Sequence, residues 1–450
     1  MEMLTLILAL IAPWGVGIVW LRWRWHQPPE GAWAMVLGYG YVVGALLTTF
    51  VMRALDVVGV RFSFAVIGAV LLALILFGWA LMRAGPWRGW GGGVISNSWR
   101  AQTEWRKVVF VVIAAMISVR LLSLGLEVIS RPLFPWDAWT QWATKARVWY
   151  EYGRMVPFVE PEAWLSATGP WAFTDAVPNY PGTVPLLQVW TNYGLGHWDD
   201  ALMNLPWLLC AVALGFAFYG QARIWGVQPM VAIVASYFLL SLPMLNTHVA
   251  LAGYPDIFMA TVYCLAAMAF FQWVRNRDLR QGLLALGLAL CCVIIKRPGI
   301  IWMLTFLPAI WVALMPRAGL IGVAAIGAAG AIFFWVGGVP VSILNYSLAF
   351  SYTPVWGPLL KNMFAMDNWH LFWYLFLGVV LWSLPKLFSR NFRAMTVLVL
   401  SGIAFLGVVF FFSNAAVWVA DFTTVNRALL HIVPMLLFYA LILWHNLVRE

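Results

Sequence analysis

The chain has 450 residues, of which 63% are hydrophobic and only 10% charged, with a mean hydropathy of +0.85. Soluble domains are nearer half apolar and a quarter charged, and disordered chains are poor in apolar residues, so both classes are excluded. The formal charge of +10 does not mark a nucleic-acid binder, because Lys and Arg are scattered singly between apolar runs and form no dense patch. The composition is that of an all-α, polytopic transmembrane protein, and its thirty Trp residues suit membrane–water interfaces.

A spanning helix takes about 20 mostly apolar residues. Thirteen runs meet or approach this: Leu4–Leu21, Trp33–Val51, Phe64–Leu81, Val108–Val128, Ala201–Phe218, Val231–Leu245, Ile257–Trp273, Leu283–Ile295, Ile300–Leu314, Leu320–Val336, Leu371–Leu384, Met395–Phe412 and Leu429–Trp444. The first lacks a basic leader and a small-residue cleavage site, so a retained helix is expected. Cys210, Cys264, Cys291 and Cys292 all fall inside apolar runs and read as small core residues, without metal or disulfide spacing.

Orientation follows from Lys and Arg in short loops. With the N-terminus outside, the inner loops hold 16 of the 27 basic residues and only four of the 17 acids. The remaining acids then gather on the outer side. The largest outer segment is 129–200, followed by 337–370 and 413–427. Gly91–Gly93 reads as a flexible linker, dividing an N-terminal three-helix unit (1–107) from a ten-helix remainder (108–450). The single expected helix break lies near Lys296–Gly299, and no internal repeat is visible.

The segment from Pro135 to Ala146 follows the fourth run directly. At 100° per residue, Asp137, Gln141, Thr144 and Lys145 share one face, while Trp139, Trp142, Ala143, Ala146 and Trp149 share the other. An amphipathic interfacial helix is expected, with its carboxylate toward an aqueous cleft. Asp137 admits two roles: a general base or metal ligand, or an N-cap acid. Lys145 is either an anion partner or a snorkelling cation. Tyr180-Pro181 with Pro185-Leu186-Leu187 builds a rigid turn. His248 and Gly253-Tyr254-Pro255-Asp256 lie at the outer end of the sixth run, Lys296-Arg297-Pro298-Gly299 at a break, and Arg427 at the outer start of the last helix. Arg120 and Glu127 lie two turns apart within the fourth run and read as a partly buried pair.

The order and shared sidedness of these five motifs resemble bacterial GT-C fold glycosyltransferases, polytopic enzymes that use polyprenyl-phosphate-linked sugars. The resemblance covers about residues 108–450. It implies a plasma-membrane, inverting glycosyltransferase acting on the outer side, with Asp137 as catalytic base and Asp256 as an assisting acid. It implies Arg427, with Lys296, Arg297 and Lys145, at the donor phosphate, and Gln141, Tyr180, Tyr254 and His248 lining the cleft toward the acceptor. The partners implied are the lipid-linked donor, a glycan, lipid or protein acceptor, and membrane lipids. A divalent cation is the one cofactor left open; Ala138, Asn179 and Arg297 stand where some relatives carry further acids. The alternative is a transporter or flippase of a lipid-linked glycan, which needs charges along a path through the bilayer rather than on one side.

Overall fold

The computed structural model describes residues 2–24, 28–84, 99, 102–166, 173–336, 341–343, 346–348 and 352–449; the Gly91–Gly93 linker lies outside the described residues. All thirteen apolar runs are helical over most of their length. Among the described residues, nine helices are long and apolar enough to cross a membrane: Glu2–Arg22, Ala32–Val57, Phe64–Arg83, Glu104–Ser130, Leu202–Trp225, Asp256–Asn276, Pro316–Phe334, Arg393–Phe412 and Val425–Arg449. This supports a multi-pass membrane protein. The expected sixth helix is instead two, Pro229–Leu240 and Pro243–Ala250, bent by 59° where they meet. Pro243 explains the break, because a proline disfavours helical geometry in the residue before it. Leu279–Ile294, Gly299–Leu314 and Phe372–Trp382 are shorter, and Pro298 separates the first two. Two pairs of very short strands, Phe158–Val159 with Phe173–Thr174 and Val341–Ile343 with Tyr346–Leu348, are the only extended elements described.

Two compact units emerge from the packing. The first holds Met1–Ser241, Leu245–Phe258 and Ile294–Lys296; the second holds Leu242–Met244, Met259–Val293 and Arg297–Glu450. In the first unit, α1 (Glu2–Arg24) and α2 (Ala32–Val57) touch backbone to backbone. A Cβ added to Gly44 would lie 1.6 Å from the Pro13 carbonyl oxygen, and one on Gly17 would lie 1.8 Å from that of Gly40. Gly40 and Gly44 are four residues apart on one face, the small-residue spacing that lets helices approach closely in lipid. α3 (Phe64–Ala84) packs on α1, and α4 (Glu104–Ser130) lies farther along the chain in the same unit.

In the second unit, polar groups within apolar helices find partners in one another. The Tyr263 hydroxyl meets Thr305 at 2.9 Å, Trp302 donates to His431 Nδ1 at 3.1 Å, and Thr396 meets Tyr439 at 2.6 Å. Such pairing is what buried polar groups require. Trp142, Trp207, Trp302 and Trp369 are fully buried, so the interfacial expectation does not extend to them. Cys210, Cys264 and Cys292 are buried free thiols and Cys291 is half-buried, as expected of core residues.

Candidate functional site

The segment after α4 is helical but not a regular α-helix. Residues Ala138–Trp142 form a π-helical turn that runs into α5 (Ala143–Tyr152). Such turns recur at functional sites. The wider turn breaks the 100° register. Trp139 is exposed, stacked edge-on against the exposed Trp136 at 5.1 Å, whereas Trp142 is buried 5.2 Å from Tyr180. The two indoles expected on one face therefore part. The helix starts just after Pro135, as expected, and the Pro135 carbonyl accepts from Ala138 and Trp139 N–H. Asp137 lies inside the first turn, half-buried, and its carboxylate makes no capping bond to the backbone. Gln141 is half-buried on the same turn.

Lys145 does not face an aqueous cleft. Its ammonium is buried, 2.6 Å from Asp175 and 2.9 Å from the Val177 carbonyl, which accepts its proton. Asp175 also accepts from the Val177 N–H at 2.7 Å. Lys145 thus meets a carboxylate inside the outer segment, and the pair ties α5 to the chain around 175–177. Close by, Tyr193 donates to the Tyr150 carbonyl at 2.9 Å. Burial, then the neighbouring Tyr150, pushes the Tyr193 hydroxyl up to about 12, so it remains a neutral donor.

The second acid reaches the π-turn through its own loop. Gly253 has φ +106°, a conformation open to glycine, and a Cβ there would lie 2.6 Å from the Ala138 Cβ. The 253–256 loop thus packs directly on the residue after Asp137. Gly253→Ala is expected to lower stability by about 1–3 kcal/mol from backbone strain alone and to push the two segments apart. Thermal unfolding in detergent checks this, and an unchanged midpoint would show that they are not tightly apposed. Tyr254 is fixed by its carbonyl, which accepts from Trp207 at 2.7 Å, and its ring lies 5.8 Å from that of the buried His248.

Asp256 opens the helix Asp256–Asn276, where the positive end of the helix dipole favours a carboxylate. Its side chain is fully buried and accepts from Lys296 at 2.7 Å; Lys296 is itself only 12% exposed. Two residues before Lys296, the Ile294 carbonyl accepts from Thr183, and Arg53 donates to Thr183 at 2.9 Å and to Thr49 at 2.9 Å. Arg53, Thr183, the turn 294–296 and Asp256 form one polar chain within the first unit.

Sequence reasoning missed Arg53, Thr183 and Asp175. Arg53 carried a usable signal, since an ionisable residue near the end of an apolar run warrants a functional hypothesis. Asp175 carried none, because its partner is thirty residues away. Arg120 and Glu127 do not pair; Glu127 binds Arg131 at 2.7 Å.

Arg297 and Arg427 belong to the second unit, and both are half-buried. Arg427 lies in the first turn of the last helix. Its neighbour Asn426 accepts from Asn362 at 2.6 Å and from Asn368 at 3.2 Å, and Asn362 accepts from Trp369 at 3.2 Å. This buried amide network fixes where that helix begins.

A divalent cation does not fit these residues. Among those described, no three His, Cys, Asp or Glu side chains converge as ligands, and the Asp256 carboxylate already holds an ammonium. Compared with protein-family models, curated proteins and solved structures, the chain finds no match.

Proposed function

We propose that the chain is an inverting glycosyltransferase with a GT-C-like core, moving a sugar from a polyprenyl-phosphate donor to an acceptor hydroxyl at the outer face of the plasma membrane. The observation that carries it is the apposition of the Asp137 turn and the 253–256 loop, beside a buried Asp256–Lys296 pair. Asp137 takes the proton of the acceptor hydroxyl as that oxygen attacks the anomeric carbon. The bond from that carbon to the phosphate oxygen breaks, and the polyprenyl phosphate leaves with the electron pair. Lys296, oriented by Asp256, supplies positive charge to the departing phosphate. Gln141, Tyr180 and Tyr254 are the polar groups on these segments that suit an acceptor sugar. In this reading the bent pair and the three shorter apolar helices also cross, giving thirteen.

The test is reconstitution with a polyprenyl-phosphate sugar. A transferase releases free polyprenyl phosphate and a glycosylated acceptor, detectable by mass spectrometry; a flippase moves the donor intact. Sidedness has its own check. Glu162→Cys, on an exposed short helix of the outer segment, is expected to react with an impermeant thiol reagent in intact cells. Reaction only after permeabilisation would reverse the orientation and remove the outer-face mechanism.

A further inference from the structure

Arg120 is the only Lys or Arg inside the thirteen apolar runs, and Glu127 is the only Asp or Glu. At 1.5 Å per residue, Arg120 lies about 3 Å from the midpoint of its run, Val108–Val128. Half the hydrocarbon thickness is about 15 Å, so the nearer edge is about 12 Å away along the axis. Arginines snorkel to the interface from near helix ends, not from this depth. A phospholipid headgroup is out of reach for the same reason. A guanidinium held there needs a partner inside the bilayer.

The described residues supply none. No hydrogen bond or ion pair among them reaches Arg120. Glu127 is about 10 Å farther along the axis and is held by Arg131 at 2.7 Å. Ser123 spends its hydroxyl on the Val119 carbonyl at 3.0 Å. Tyr237, on the helix Pro229–Leu240, lines the same groove as Arg120, but a neutral hydroxyl leaves the charge uncompensated.

That groove runs along α4, which is long and apolar enough to cross a membrane and faces outward over nearly its whole length. Val112, Met116 and Val119 line it at three- and four-residue spacing, and all are exposed. The helix Pro229–Leu240 packs beside α4. A stripe of this spacing beside a second helix is a valley that the ridge of a third helix fits. Acyl chains also cover such a stripe, but they bring nothing that answers the charge.

We propose that this groove seats one transmembrane helix of a different membrane protein, with an Asp or Glu near its midpoint paired to Arg120. Charge complementarity sets the chemistry, because a carboxylate accepts two parallel N–H···O bonds from a guanidinium. A second copy of this chain does not meet the requirement. In the same orientation it brings another Arg120 to that depth and no carboxylate, since Glu127 is its only acid within an apolar run. The inference does not rest on the proposed activity.

The test places the full chain in phosphatidylcholine vesicles with a dye-labelled leucine–alanine helix carrying one central Asp. Energy transfer from a dye on the chain reads association. The Asp helix should associate about five- to thirty-fold more tightly than the same helix with a central Leu, the range that polar pairs in a bilayer imply. Arg120→Leu removes a charge from an outward-facing helix, so folding is retained, and it should abolish the preference. Ala115→Trp fills the groove and keeps the arginine, and it should weaken binding of the Asp helix as well. Equal association of the two helices, a preference that survives Arg120→Leu, or binding unimpaired by Ala115→Trp overturns the proposal. In cells, a photoreactive residue in place of Met116 should crosslink a protein whose spanning helix carries a central acid, and changing that acid to Leu should end the crosslink. Crosslinks to lipid alone, to a second copy of this chain, or to a protein without such an acid overturn it.

Discussion

Asp137→Asn is expected to lower sugar transfer by about 10²–10⁴-fold, the usual cost of losing a general base, while the protein still folds and binds donor. The substitution keeps the shape of the side chain and one acceptor oxygen. It removes only the ability to take a proton near neutral pH. A capping acid would tolerate this at about 1 kcal/mol or less, but Asp137 makes no capping bond, and the Pro135 carbonyl already receives the first helical N–H groups. The two roles therefore separate by orders of magnitude in one variant. The measurement is transfer by reconstituted protein, with donor binding followed in parallel. Transfer within a few-fold of wild type would remove Asp137 from the chemistry.

The long apolar runs were legible because a bilayer leaves the backbone little choice but to satisfy its hydrogen bonds within each segment. Their interruptions were less so. The run Val231–Leu245 contains Pro243, yet average hydropathy passes over it, and the helix bends there by 59°. The helical wheel placed Trp139 with Trp142 because it assumes 3.6 residues per turn, and five residues of π-helix undo that assumption. Asp137 and Asp256 were singled out from their positions after apolar runs. What was not legible is which cation each acid keeps. Lys145 was read as a phosphate or carboxylate partner and holds the Asp175 carboxylate, and Lys296 was read toward the donor phosphate and holds that of Asp256. Arg53 and Thr183 are 130 residues apart in sequence, and only the folded chain brings them together. Long-range pairing of single polar residues leaves no periodic trace in one sequence.

That pairing sets up the second large effect. Asp256→Leu and Lys296→Met, each alone, should destabilise the protein by about 3–5 kcal/mol, because each leaves one buried charge without its partner. The double variant Asp256→Leu with Lys296→Met removes both charges and should recover most of that loss, since replacing a buried pair by apolar residues is often neutral or stabilising. Thermal unfolding of the four proteins in one detergent gives the coupling directly. Transfer by the double variant then separates structure from chemistry. If Lys296 carries charge to the departing phosphate, the double variant is folded and stable yet loses transfer, because no cation replaces the ammonium. A double variant that is stable and fully active would make the pair a structural clamp on the 253–256 loop with no part in the chemistry. Single variants as stable as wild type would mean that water reaches the pair, contrary to the full burial of the Asp256 side chain.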